Sequence, residues 1–398
     1  MTGGLILITM TGPDRPGVLA TMSEQIAATG GAQIRDIEMT VTQRQMVLTL
    51  LLDLSAESAS HKPLVKDLLF SAKELGLHLD FTVVDAVQTP SSRGPLYVVT
   101  LLAAEISAAG LAAVAQVLVQ NQANIERISR LTQGGLRCVE LLVSAGDHLN
   151  LRQLKRELLQ VGSGLQLDVA VQRESLYRRA KRLVVMDMDS TLIQIEVIDE
   201  LARLAGAGAA VARITEQAMN GELDFRQSLQ QRVAHLKGLS VAALEEVYRN
   251  IPFTPGAREL VRILKRLGFR TAVISGGFGF FTQRLQQELG LDYAYANELE
   301  MIDGQLTGRT LGPVIDGEVK ARLLEQIAAS EGLSLDQVIA IGDGANDLPM
   351  LGRAGLGIAF NAKARVREQA DTHISQPGLD SILFLLGLSE RELAEIVS

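Results

Sequence analysis

The segment LVVMDMDSTL ends an apolar run in two carboxylates one residue apart, Asp187 and Asp189, followed by Ser190 and Thr191. In an extended segment residues i and i+2 point the same way, so both carboxylates can reach one ligand. The carboxyl end of a strand is also where α/β folds bind their ligands. Alone, the pair equally fits two solvated strand-end acids, but three further segments repeat the plan. VISGGFG puts Ser275 at the end of a second apolar run, before two glycines, the first of them Gly276, whose backbone amides can approach an anion closely. Lys320 stands near a helix start in GEVKARLL. VIAIGDGANDLPML runs an apolar strand into Asp343, Asn346 and Asp347, three oxygen-bearing side chains within five residues, a set suited to a hard cation.

These residues need a sheet to bring them together. From residue 183 onward the short apolar runs LVVMD, RTAVIS, QVIAIGD and GLGIAF are each followed by a helix or turn, which predicts a parallel sheet covered on both faces. Between Thr191 and Thr254 lie about 60 residues of helical pattern with no convincing strand, too long for one crossover; they read as a helical cap over about 193–253. YAYANELEMIDGQLTGRTLG alternates around the turn IDGQ and predicts a hairpin flap. Such caps would exclude water from the strand ends.

The first half carries a weak ungapped repeat. Thr9 matches Thr100, Ile34 matches Ile125, Ile37 matches Ile128 and Leu50 matches Leu141, each at an offset of 91. Each copy reads β-α-β-β-α-β, the ferredoxin-like unit, giving modules over 1–88 and 95–175 ahead of a third domain, 182–398. QTPSSRGP (88–95) reads as the linker between modules and QRESLYRRAKR (172–182) as the entry to the third domain.

The bulk numbers exclude some partners. A net charge of −8 (38 Lys+Arg, 46 Asp+Glu) argues against nucleic acid and anionic membranes. Hydrophobic residues make up 47% and aromatics only 4%, with no Trp, so Leu, Val, Ile and Ala must build the cores. The single cysteine, Cys138, excludes an intrachain disulfide and points to a reducing compartment. The start LILITM reads as no signal peptide, and no stretch approaches the ~20 apolar residues of a membrane span, so a cytoplasmic location is expected.

Taken in order, strand–Asp-x-Asp, strand–Ser-Gly-Gly, Lys and strand–Gly-Asp-Gly-x-Asn-Asp over 183 to ~360 resemble the four motifs of the haloacid dehalogenase superfamily of phosphohydrolases. The resemblance implies a Rossmann-like core whose motifs converge at the carboxyl edge. It makes Asp187 the nucleophile that forms an aspartyl phosphate, and Asp189 the acid for the leaving alkoxide and base for the hydrolytic water. It assigns Mg²⁺ to the Asp187 carboxylate, the Asp189 backbone carbonyl and Asp343, with Ser275 and Lys320 on the phosphate oxygens. Asp347 would stand behind the metal or anchor Lys320. Transport ATPases of the superfamily carry Thr where Asp189 stands, so an acid here favours hydrolysis.

DMDSTLIQIEVIDELA and MNGELDFRQSLQQRVAHLKG further resemble phosphoserine phosphatases. That resemblance sets Glu196 on a substrate ammonium, Arg232 on its carboxylate, Met219 and Phe225 as apolar lid contacts, and Gly276 and Asn346 on the phosphate side. The implied reaction is Mg²⁺-dependent hydrolysis of O-phosphoserine to serine, the last step of serine biosynthesis. GPDRPGVLATM resembles the strand-to-helix turn of ACT domains, amino-acid-binding modules of ferredoxin-like fold. Asp14 and Gly17 in that turn, and Gly110 in the second copy, which lacks both prolines, are the implied effector-binding residues. L-serine is the expected effector and a homodimer paired through the modules the expected assembly. Modules used only for dimerisation, phosphate transfer to another alcohol, action on phosphoproteins, and a non-enzymatic amino-acid sensor remain open alternatives.

Overall fold

The computed structural model describes residues 5–28, 32–54, 61–84, 94–133, 135, 137–219, 222–370 and 372–397. The expected linker falls outside them except for Gly94 and Pro95. The chain forms two compact units, Met1–Ser92 and Arg93–Ser398.

The first unit is β1 (Leu5–Pro13), α1 (Val18–Ala28), β2 (Gln33–Thr42), β3 (Gln45–Asp53), α2 (His61–Glu74) and β4 (His78–Val84), with antiparallel strand order β2-β3-β1-β4. Alternation builds it: Met46, Leu48, Leu50 and Leu52 of β3 are buried while their neighbours are not.

The second unit opens with the same module: β5 (Leu96–Leu102), α3 (Ala108–Gln120), β6 (Asn124–Arg130), β7 (Cys138–Ser144), α4 (Leu151–Gly164) and β8 (Asp168–Arg173), in order β6-β7-β5-β8. The repeat survives in register. Ile37 faces Leu50 and Ile128 faces Leu141, and the edge strands bulge at equivalent places, between Ile34 and Asp36 and between Ile125 and Arg127. This module builds its own core around Val99, Leu118, Leu141 and Leu158, and it also shares a second one. Leu102, Leu131, Cys138 and Ala170 belong to the apolar core of the sheet that follows. Burial pushes the Cys138 thiol pKa up, which leaves it a small hydrophobe.

After the short α5 (Leu176–Arg179) comes a sheet of β9 (Leu183–Met186), β10 (Arg270–Phe278), β11 (Tyr293–Ile302), β12 (Gln305–Leu311), β13 (Val338–Gly342), β14 (Leu356–Phe360) and β15 (Thr372–Ile374). The order is β12-β11-β10-β9-β13-β14-β15, parallel except for β12. Every residue of β9, β13 and β14 is buried, as strands covered on both faces require. The fold is the expected one: a Rossmann-like core preceded in sequence by two ferredoxin-like modules.

The segment expected to form the cap holds, among the described residues, four helices, α6 (Val197–Leu204), α7 (Gly208–Met219), α8 (Phe225–Ala234) and α9 (Val241–Arg249), between stems joined by the bridge Ile193↔Phe253. Then come α10 (Ala257–Arg266), α11 (Gly279–Leu289), α12 (Gly317–Ser330), α13 (Leu348–Arg353), α14 (Ala364–Gln369) and α15 (Glu390–Val397). The expected hairpin is present, turning at Asp303 (φ 51°) and Gly304 (φ 76°), but it is no separate flap. Its first strand begins as part of the main sheet, and Leu306 exchanges backbone hydrogen bonds with Gly238 and Leu239, both at 2.8 Å, tying it to the cap. Among the described residues no helix is long and apolar enough to cross a membrane.

Candidate active site

Because β9 is central, it delivers Asp187 to the middle of the sheet's carboxyl edge. The Asp187 amide donates to the Ile341 carbonyl of β13 (2.9 Å), and its Oδ1 accepts the Met188 amide (2.8 Å). The chain does not stay extended past Asp187; it leaves the sheet in a kinked turn with Ser190 at φ 56°. Asp189 reaches the site through this turn rather than by strand alternation, its Oδ1 accepting the Val197 amide at the start of α6 (3.1 Å). β10 delivers Ser275, buried, whose Oγ accepts the Gly277 amide (2.8 Å). The helix α12, capped by Asp316, delivers Lys320, fully buried with Nζ 2.7 Å from both Asp187 Oδ1 and Asp347 Oδ1. β13 delivers Asp343, and Asp347 folds back so that its Oδ2 accepts the Gly344 amide (3.0 Å).

One carboxylate oxygen each from Asp187, Asp343 and Asp347 lie within 4.8 Å of one another. Burial, then the Asp347 charge, holds the Asp187 carboxyl well above the usual carboxylate range. The same two causes raise Asp343 to about 7. Burial, then Glu196, raises Asp189 to about 8. At Lys320 burial works to lower the pKa, but Asp187 and Asp347 outweigh it and the ammonium is held above its ordinary value. One lysine faces four acids, so the pocket is short of positive charge, and its all-oxygen donor set fits a hard divalent cation. The carboxylates gathered are those of Asp187, Asp343 and Asp347. The Asp189 carboxylate is turned to the Val197 amide instead, and Asp347 is both near the cluster and bonded to Lys320.

The cap closes over this edge. A Cβ on Gly276 would stand 2.9 Å from Phe225 Cζ and 3.8 Å from Asn346 Nδ2, so the lid ring and the motif-four amide meet over that glycine. Arg232 of α8 is partly buried, and its one hydrogen bond among the described residues is a long one to the Ser228 carbonyl (3.4 Å). Burial lowers its pKa against the opposing charges of Glu196, Asp199 and Asp189. Glu196 is exposed and accepts the Ser190 hydroxyl (2.9 Å). The Met219 side chain lies outside the described residues.

In the first module the Asp14 amide donates to the Arg44 carbonyl (2.8 Å), and Gly17 adopts φ 94° with open space around it. In the second module the Gly110 amide is already taken by the helix cap Ser107 (Oγ, 3.1 Å). Two hydroxyls went unassigned in the sequence. Thr191 Oγ1 donates to Asp343 Oδ1 (2.9 Å), and Thr254 Oγ1 donates to the Thr191 carbonyl (2.7 Å), joining the two stems of the cap behind the carboxylates. Thr191 stands beside the acid pair in sequence, but its partner lies 152 residues away and only the fold reveals it.

Residues 184–352 match the haloacid dehalogenase-like hydrolase family, and residues 4–82 and 96–172 each match the ACT domain. The phosphoserine phosphatase of Streptomyces coelicolor is 43% identical over 391 residues, 98% of this chain and 93% of that protein. Phosphoserine phosphatase SerB2 of Mycobacterium tuberculosis is 42% identical over 389 residues, 98% of this chain and 94% of its own. A crystal structure of a probable phosphoserine phosphatase from Vibrio cholerae is 35% identical, covers 76% of this chain and 89% of that one, and superposes with a TM-score of 0.57. With near-complete coverage at this identity, a haloacid dehalogenase-type sheet and two ACT modules, the chain is an enzyme belonging to the phosphoserine phosphatase family.

Proposed function

We propose that the enzyme hydrolyses O-phospho-L-serine to L-serine and phosphate, in two steps at Asp187, with Mg²⁺ held by the Asp187 and Asp343 carboxylates and the Asp189 carbonyl. Bound there, the cation would neutralise charge on the phosphoryl oxygens and the crowded acids. An Asp187 carboxylate oxygen attacks phosphorus as the bond to the serine oxygen breaks, and that oxygen takes the Asp189 proton. Water then attacks phosphorus, Asp189 takes its proton, and phosphate leaves with the Asp187 carboxylate restored. The raised pKa of Asp189 supports this, since a group near 8 can hold a proton to give at neutral pH. Lys320 and Ser275 bind phosphoryl oxygens, and Asp347 orients Lys320.

The observation that carries the substrate assignment is Arg232. A guanidinium pulled partly out of water and bonded, among the described residues, to one carbonyl at 3.4 Å gains most from a carboxylate brought by the ligand. Glu196, in electrostatic reach of Arg232, suits the ammonium of the same amino acid. Phosphate release from O-phosphoserine and from phosphoethanolamine, which lacks the carboxylate, tests this. Wild type should prefer phosphoserine, and Arg232→Ala should abolish the preference by raising KM for phosphoserine alone. Equal use of the two by wild type sinks the assignment.

The same proposal extends to the domain plan: modules over 1–88 and 95–175 regulate a catalytic domain over 182–398. Serine binds at the Asp14–Gly17 turn of the first module. Ile37, Met39 and Val41, exposed on its edge strand β2, support pairing of two chains there into a homodimer.

A further inference from the structure

The ladder between β10 and β11 breaks where the site begins. Ala272 to Ile274 pair in parallel register with Tyr293 to Tyr295; the register then shifts, and pairing resumes with Phe278 opposite Asn297. Ser275, Gly276 and Gly277 of β10 fall in this irregular stretch, where the regular pairing with β11 is interrupted and carbonyls need other partners. The side chain of Asn297, 2% exposed, supplies one. Its Nδ2 donates to the Gly276 carbonyl (2.8 Å), and its Oδ1 accepts the Ile315 amide (2.8 Å), one residue before the Asp316 cap of α12.

A trans peptide carries its C=O and N–H on opposite sides. With the Gly276 carbonyl held by Asn297, the N–H of the same peptide, that of Gly277, must face the other way, where it donates to Ser275 Oγ (2.8 Å). That bond occupies a lone pair of Ser275 and leaves its hydroxyl hydrogen free to point elsewhere. A flipped peptide would instead aim a carbonyl at Ser275 Oγ and toward Asp189, whose Oδ2 lies 2.7 Å from where a Gly277 Cβ would stand.

We propose that Asn297 is a positioning residue for hydrolysis: through the Gly276–Gly277 peptide it makes Ser275 a hydrogen-bond donor to the phosphoryl group, and through Ile315 it fixes the start of the helix that carries Lys320. This rests on the site being a phosphomonoester hydrolase, as proposed above.

The test is a double-mutant cycle on the full chain, assayed with O-phosphoserine and with p-nitrophenyl phosphate. Asn297→Asp keeps the size and the acceptor for Ile315 but replaces the donor with an oxygen facing the Gly276 carbonyl. It should lower kcat about 10- to 100-fold, the scale of losing one transition-state donor, with KM changed less than about threefold. Added to Ser275→Ala, the same change should cost less than about threefold more, because the group it acts through is gone. Asn297→Ala, which loses both arms, should be no better than Asn297→Asp, and unfolding midpoints report whether either variant is merely unstable. Unchanged kcat in Asn297→Asp, or an equal loss with and without Ser275, overturns the proposal and leaves Asn297 a tether. A wild type inactive on both esters would overturn the hydrolase assignment instead, so the two failures are distinguishable.

Discussion

Asp168, in the last strand of the second module, accepts both the backbone amide and the hydroxyl of Ser375, each at 2.7 Å. Gln376 adds its amide (3.1 Å) and its side chain (3.2 Å) to the same carboxylate, which is 4% exposed. Nearby, Gln172 donates to the Leu385 carbonyl (2.9 Å) and the Glu390 amide donates to the Leu131 carbonyl (2.7 Å). With the shared apolar core, these bonds build the second module into the far edge of the catalytic sheet. Asp168→Ala would remove four hydrogen bonds to one buried charged acceptor, and should lower the stability of the second unit by about 2–3 kcal/mol in urea unfolding followed by loss of activity. An unchanged midpoint would show the junction to be a loose contact.

The crowded acids give the metal-free protein a characteristic pH response. A carboxyl raised on folding contributes stability that is complete below its unfolded pKa, ~3.9, and is lost as pH rises through its folded value. Those values are about 7 for Asp343 and about 8 for Asp189. The metal-free enzyme should therefore melt at lower temperature as pH rises from 5 to 8. Mg²⁺ needs ionised ligands, so it should raise Tm more at pH 8 than at pH 5. Equal increments at the two pH values would refute the assignment of the cation to these acids.

The proposed division of labour between the paired aspartates predicts different failures. Asp187→Asn would remove the proposed nucleophile and should give neither turnover nor a phosphorylated protein. Asp189→Asn would keep that nucleophile but remove the proposed proton donor and acceptor, and should lower kcat by about 10²–10⁴. If hydrolysis of the intermediate suffers more than its formation, phosphoprotein trapped by acid quench will accumulate in Asp189→Asn. Turnover by Asp187→Asn at the wild-type rate would displace Asp187 from its role.

What the sequence disclosed follows from how each residue was placed. Asp187, Ser275 and Asp343 sit at the ends of buried strands, so local pattern located them, and the 91-residue repeat held down to its bulges because register follows side-chain alternation. The links between segments were not legible. Thr191 to Asp343, Asn297 to Gly276 and Asp168 to Ser375 join residues 152, 21 and 207 positions apart, and no periodicity encodes which strands become neighbours. The kink after Asp187 was hidden too, because a left-handed Ser190 leaves no mark in an Asp-x-Asp-Ser pattern.

The last prediction concerns how the cap is held. Arg226, next to the lid ring Phe225, donates from Nε (2.9 Å) and from its terminal nitrogen (2.7 Å) to Asp316 Oδ2. Asp316 also caps α12, its Oδ1 accepting the Val319 amide (3.0 Å), one residue before Lys320. Lifting α8 from the core breaks this pair, and Arg226 is 59% exposed, so its contribution is of the ordinary surface size, about 0.2–1 kcal/mol, and screened by salt. That is too little to move the melting point much, but it biases closure over the substrate by about 1.5- to 5-fold. Arg226→Met should therefore raise KM by that factor with Tm nearly unchanged. Salt should then separate two kinds of charge: between 50 and 500 mM NaCl the wild-type KM should rise toward that of the variant, the ratio of the two shrinking as the ion pair is screened. A ratio of one at low salt, or one that salt does not change, would show that Arg226 and Asp316 touch without holding the cap closed.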